Sequence, residues 1–174
     1  MYLISLYFDE KTEYMMQGLI NKVADKTGNT FMLDGKIPPH ITVTGFETRN
    51  EAKAIELFEK SIANVKSDDV FFASVGSFKS TVIYAEPVLN EYLHNLSVYF
   101  NQVFKGIEDV RFSPFYNPFG WIPHLSVGKH LTKEQMEVAF KIMLEQFISH
   151  KGSVIKIGIA KTNPHRNLKV YSLT

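Results

Sequence analysis

Two stretches of this chain follow one template, and that repetition constrains the fold more than any other feature. Pro39-His40-Ile41-Thr42-Val43 is matched by Pro123-His124-Leu125-Ser126-Val127. Thr48 and Thr132 stand at the same offset from their histidines, and so do Glu51 and Gln135. Each Thr-x-x-Glu/Gln has the form of a capping box that opens a helix. A proline, a histidine, an alternating strand and a capped helix are therefore used twice, centred on 39–65 and 123–148. The physical outcome expected is two pseudo-symmetric lobes of antiparallel sheet with helices on the outer face. Equivalent strands then face each other across a central cleft, on which the two histidines converge.

Hydrophobic periodicity places the other elements. Residues 2–8 read as a strand, and 12–26 as an amphipathic helix built on Met16, Leu19, Ile20 and Val23, stopped by Gly28. A loop runs to Pro39. The helix opened at Thr48 carries Ala54, Ile55, Phe58, Ile62 and Val65 on one face. Residues 70–78 and 81–86 form a hairpin around Lys79-Ser80. A helix over 88–104 turns Leu89, Tyr92, Leu93, Leu96, Phe100 and Val103 inward. The stretch 105–123, aromatic and broken by Pro114, Pro118 and Gly120, is expected to lack regular structure. The helix opened at Thr132 presents Met136, Ala139, Phe140, Met143 and Phe147. Strands near 153–160 and 168–173 flank the polar turn Asn163-Pro164-His165-Arg166-Asn167. The fold class is α+β and bilobal, with residues 1–174 forming one domain.

Composition narrows the chemistry. The chain has no cysteine, which excludes disulfides, thiolate catalysis and cysteine-ligated zinc. A formal net charge of +1 argues against a surface that holds long nucleic acid by phosphate neutralisation alone. Asp9-Glu10 interrupts the apolar start too soon for a signal peptide, and no apolar run approaches the roughly 20 residues needed to cross a bilayer. A soluble, cytoplasmic monomer is expected.

Residues i and i+2 of a strand share a face. His40 with Thr42, and His124 with Ser126, then project into the cleft, with Ile41, Val43, Leu125 and Val127 behind them. Thr44 would point the same way, but its counterpart is Gly128. Two imidazoles that titrate near pH 6.5 suit the removal of one proton and delivery of another at a phosphodiester. Hydroxyls beside them suit the non-bridging phosphate oxygens. The scheme requires neither metal nor cofactor. Phe115, Tyr116 and Trp121 are candidates for a wall on which a base stacks, and Arg111 and Lys129 for local positive charge. The plainer alternatives are a self-packed lid and solvated surface cations, with Thr42 and Ser126 as ordinary strand residues. His94, His130, His150 and His165 lie outside the repeat and read as surface residues, with His130 near enough to the second motif to line a cleft edge.

With these residues in place, the sequence resembles the two-histidine (2H) phosphoesterases, which include the bacterial 2′-5′ RNA ligases and 2′,3′-cyclic phosphodiesterases. The resemblance rests on two His-x-Ser/Thr-x motifs, His40-Ile41-Thr42-Val43 and His124-Leu125-Ser126-Val127, and on an element order matched along nearly the whole chain. It implies a bilobal fold with a deep cleft, His40 and His124 as acid and base, Thr42 and Ser126 as phosphate ligands, and a nucleotide or RNA terminus as substrate. Three other readings stand beside it. One is a module that binds a nucleotide or RNA end without turnover. Another is a metal site on the histidine pair, disfavoured because no Asp or Glu lies within either motif. The last is an interaction scaffold.

Overall fold

The computed structural model describes residues 1–162 and 165–174; Asn163 and Pro164, in the expected polar turn, lie outside the described residues. In β1 (Tyr2–Phe8), Tyr2, Ile4, Leu6 and Phe8 alternate onto the core. Asp9 ends the strand and caps α1 (Glu10–Thr27). Its carboxylate accepts from the Thr12 N–H at 3.0 Å, the Thr12 hydroxyl at 2.9 Å and the Ser153 N–H at 2.7 Å. Gly28 stops α1 at φ 69°, a left-handed conformation that glycine enters without steric cost. A short helix, α2 (Phe31–Asp34), forms inside the stretch expected to be loop. Then come β2 (Ile41–Glu47), α3 (Glu51–Ser61), the hairpin of β3 (Asp68–Phe78) and β4 (Val82–Pro87), and α4 (Glu91–Phe104). Residues 105–123 are irregular apart from β5 (Arg111–Phe112), which pairs with β2, and a 3-10 turn at Pro114–Tyr116. The chain closes with β6 (Leu125–Gly128), α5 (Lys133–Gln146), β7 (His150–Lys161) and β8 (Arg166–Ser172).

Several local expectations need correction. Thr132 and Gln135 form a true capping box on α5, but Thr48 and Glu51 do not form one on α3. The Thr48 hydroxyl donates to the Asp109 carboxylate, and Asn50 caps the helix by accepting from the Lys53 N–H at 3.0 Å. Glu51 instead takes Tyr2, Lys161 and Arg166. On α5 the core positions are Ala139, Ile142 and Met143, while Phe140 is 41% exposed. Leu89 precedes α4 and is exposed as well.

All eight strands join one antiparallel hydrogen-bonded system in the order β5-β2-β1-β7-β3-β4-β6, with β8 also on β7. Its registers reveal an internal two-fold. On β1 and β2, Leu6 pairs with Ile41, Ser5 with Thr42 and Ile4 with Thr44; on β4 and β6, Ala85 pairs with Leu125, Tyr84 with Ser126 and Ile83 with Gly128. Val43 and Val127 are therefore equivalent bulged residues, each one past a motif hydroxyl. The third strands are exchanged. The strand after α3, β3, pairs with β4, while the strand after α5, β7, pairs with β1, so that Ser5 opposes Gly158 and Tyr84 opposes Gly76. At the centre β3 and β7 pair with each other, and the pairs Asp68–Val154 and Phe72–His150 are related about Val70–Gly152.

The helices are exchanged too. The β2 lobe is covered by α4 and α3, which touch each other, and the β6 lobe by α1 and α5. Each lobe thus takes structure from both halves of the sequence. Two consequences can be measured. Fragments 1–79 and 80–174, prepared separately, are expected to lack cooperative thermal unfolding, because each leaves a motif strand without its covering helix. Asp9→Ala, which removes a helix cap and the partner of a β7 amide, should destabilise the chain by about 2 kcal/mol and lower Tm by roughly 4–8 °C in calorimetry.

Candidate active site

His40 and His124 each stand one residue before a motif strand, after a buried proline, and each is half-buried. The His40 Nδ1 lies 2.9 Å from the Pro38 carbonyl oxygen, and the His124 Nδ1 lies 2.9 Å from that of Ile122. A carbonyl only accepts, so Nδ1 carries the proton in both neutral rings and Nε2 keeps its lone pair. His150 makes the same local bond to Ile148, at 2.9 Å, so this bond alone does not mark a site. The His150 ring is stacked on Phe72 and its Nε2 is buried without a partner. The motif rings differ in placement. The curl of the sheet brings Cα atoms of β2 and β6 within 8 Å although the strands share no ladder, and His40 lies close enough to feel the charge of His124.

Thr42 and Ser126 are almost fully buried on the face that the histidines share, and the Thr42 and Ser5 hydroxyls are 3.5 Å apart. Thr44 does not point with Thr42. The bulge at Val43 turns it to the side of its partner Ile4, where its hydroxyl is buried and unpartnered. Three tyrosines surround this floor, each seated on a glycine of the neighbouring backbone. A Cβ at Gly158 would come 3.1 Å from the Tyr7 ring, one at Gly76 would come 2.4 Å from Tyr84, and one at Gly45 would come 2.7 Å from Tyr116. Tyr7 lies 6.2 Å from His40 and Tyr84 lies 5.4 Å from His124, between ring centroids. Tyr7 and Tyr84 went unnoticed in the sequence, since only the strand registers relate them to the motifs.

Of the other candidates, Lys129 and Tyr116 come to the site. Lys129 is half-buried and its positive charge reaches both histidines. Tyr116 lies against Gly45 of the motif strand, on the Thr42 side, and burial raises its pKa while Thr42 lowers it. Phe115, on the same turn, is 80% exposed. Trp121 is 4% exposed and packs in the core, so its faces are closed to a base and it is no wall. Arg111 opposes Glu47, and both line a separate hollow of about 310 Å³ with Arg49 and Asp109. Glu47 lies seven positions along the chain from His40, roughly 20 Å in an extended strand, which removes Arg111 from the histidines. His165 is half-buried, and its Nε2 shares the Asn167 Oδ1 with the Tyr7 hydroxyl, at 3.2 and 3.4 Å. Among the described residues, no group of three or more His, Asp or Glu side chains is placed to hold a metal, and no helix is long and apolar enough to cross a membrane.

Burial sets the electrostatics. It lowers the His40 pKa to about 4, against the raising effect of the Pro38 bond and with help from Lys129, His165 and His124. It lowers His124 below 6.5 in the same way, with Lys129 adding to the effect. Burial also lowers the Lys129 amine from its ordinary value.

Residues 19–166 match the sequence model of the 2′-5′ RNA ligase superfamily. Among solved structures, a phosphoesterase is similar at 12% identity and a TM-score of 0.63, over 99% of this chain and 98% of that one. Escherichia coli LigT complexed with 3′-AMP is similar at 11% identity and 0.61, over 99% and 97%. Usb1 from Kluyveromyces marxianus is similar at 10% and 0.50, over 96% of each chain. At these identities the likeness is one of fold. No curated protein matches the sequence.

The site electrostatics carry a direct expectation. Both imidazoles are harder to protonate folded than unfolded, so stability is lost as pH falls below 6.5 and on through about 4. In NMR titrations His40 should titrate near pH 4 and His124 below 6.5, and Lys129→Met should move both upward. A His40 ring titrating at 6.5 in the folded chain would contradict its burial.

Proposed function

Because the chain belongs to the 2′-5′ RNA ligase superfamily, we propose that it is a metal-independent phosphodiesterase acting on a 2′,3′-cyclic phosphate or 2′-5′ phosphodiester at a nucleotide or RNA terminus. His40 and His124 serve as acid and base, and the same site is able to run in the ligation direction. The observation that carries this reading is the matched presentation of two imidazoles. Each has Nδ1 tied to the carbonyl two residues back, and each has a hydroxyl neighbour on an equivalent strand.

The chemistry follows from those groups. One Nε2 takes the proton of the attacking water as the new P–O bond forms. The other imidazole, protonated, gives its proton to the ribose oxygen as the old P–O bond breaks. Thr42 and Ser126 donate to the non-bridging oxygens, whose charge persists through the transition state. In the free site burial and Lys129 keep both rings neutral. A bound phosphodiester brings a negative charge that favours protonation of one of them, so the acid is charged when substrate arrives. Lys129 remains as a counter-charge, and Tyr116 with the exposed Phe115 forms a wall on the Thr42 side.

The test is turnover of adenosine 2′,3′-cyclic phosphate and of a 2′-5′ linked dinucleotide in excess EDTA, with products separated by chromatography. His40→Ala and His124→Ala should each lower kcat by roughly 10²–10⁴-fold. Thr42→Ala and Ser126→Ala should each cost about 10²-fold. Binding without turnover in the wild type would indicate a nucleotide-binding module, and loss of activity in EDTA would indicate a metal enzyme.

A further inference from the structure

The internal two-fold permits each side chain around one histidine to be compared with its counterpart around the other. Leu3 opposes Ala160 in the β2 lobe, and Val82 opposes Phe78 in the β6 lobe, so Ala160 and Phe78 occupy equivalent positions. The two environments differ here, as they do at Ser5 and its counterpart Tyr84. The Phe78 ring stands 4.7 Å from the His124 ring at 86° and 4.5 Å from Tyr84. His40 has only a methyl group at the corresponding place.

That contrast separates two roles for Phe78. If an aromatic ring here were needed to hold the imidazole, His40 would need one too. Yet His40 makes the same 2.9 Å Nδ1 bond and stands at the same point of its motif without it. His124 is also backed by Tyr84, which is itself fixed on Gly76. Phe78 is therefore surplus to holding the catalytic ring. It is half-buried, at the last position of β3, directly before the exposed turn residue Lys79. A partly open aromatic ring beside the proposed phosphate position has the shape and polarity to receive the face of an unpaired base.

We propose that Phe78 is a substrate-contacting residue that stacks a nucleobase on the His124 side of the cleft, making the site selective for nucleoside phosphates over base-free phosphodiesters. The proposal rests on the phosphodiesterase reading for the position of the phosphate. The two are separable, because base stacking is measurable by binding without turnover.

Calorimetry would compare wild type, Phe78→Ala and Phe78→Trp with two probes, adenosine 3′-monophosphate and inorganic phosphate, after thermal melts show that the variants fold. Base stacking contributes on the order of 1–3 kcal/mol, so Phe78→Ala should weaken the nucleotide by about 5- to 150-fold while leaving inorganic phosphate within about twofold. Phe78→Trp should retain nucleotide affinity. In turnover, Phe78→Ala should raise KM for adenosine 2′,3′-cyclic phosphate and leave the base-free methyl riboside 2,3-cyclic phosphate unaffected. Equal losses on both probes would assign Phe78 to positioning His124 and overturn the proposal. No change on either would place the base elsewhere, as on Phe115, and overturn it equally. Selective nucleotide binding without turnover would sink the phosphodiesterase reading and leave this inference standing. A wild type that binds neither probe would remove both.

Discussion

The central pairing of β3 with β7 is the contact on which the rest of the architecture depends. β7 uses one edge for β1 and the other for β3 and then β8, placed end to end along it. Through it the strands of both halves become one system, and the Phe8, Phe72 and His150 rings pack around the join. Because each third strand serves the other half's first strand, the two motif strands lie far apart in the ladder order. They meet only because the sheet curls, as twisted antiparallel sheets with bulges do. The equivalent bulges at Val43 and Val127 fall where that curl brings β2 and β6 together.

The same geometry accounts for the electrostatics. Two imidazoles approach each other beside a half-buried lysine with no carboxylate among the groups perturbing them. Burial and like charge act in one direction, and the free site favours neutral rings. The phosphodiester proposed as substrate would supply the missing negative charge. The glycines beneath Tyr7 and Tyr84 let those rings lie against the sheet beside His40 and His124, and Gly45 seats Tyr116 on the Thr42 side.

Much of this was legible in the residues alone because the relevant geometry is local. The i, i+2 rule pairs His40 with Thr42 and His124 with Ser126 without knowledge of the fold, and the cap at Thr132 follows from four residues. The Thr48 cap failed where a distant residue, Asp109, competed for the same hydroxyl. Thr44 was misplaced because a strand period assumes a regular ladder, and the bulge breaks it. The expectations for Trp121 and Arg111 fail for a related reason. Whether a loop side chain faces a core or a far edge depends on contacts with strands remote in sequence.

The sequence by itself determined the paired histidines, their hydroxyl neighbours and the alternation that anchors them, because these depend on covalent spacing and strand periodicity. It also determined that the fold would be doubled. Only the tertiary structure decided that the halves interleave, that Lys129 shares the histidines' buried environment, and that Phe78 stands where its counterpart is Ala160. Each of those depends on strand register and desolvation, which arise from pairings between residues far apart along the chain.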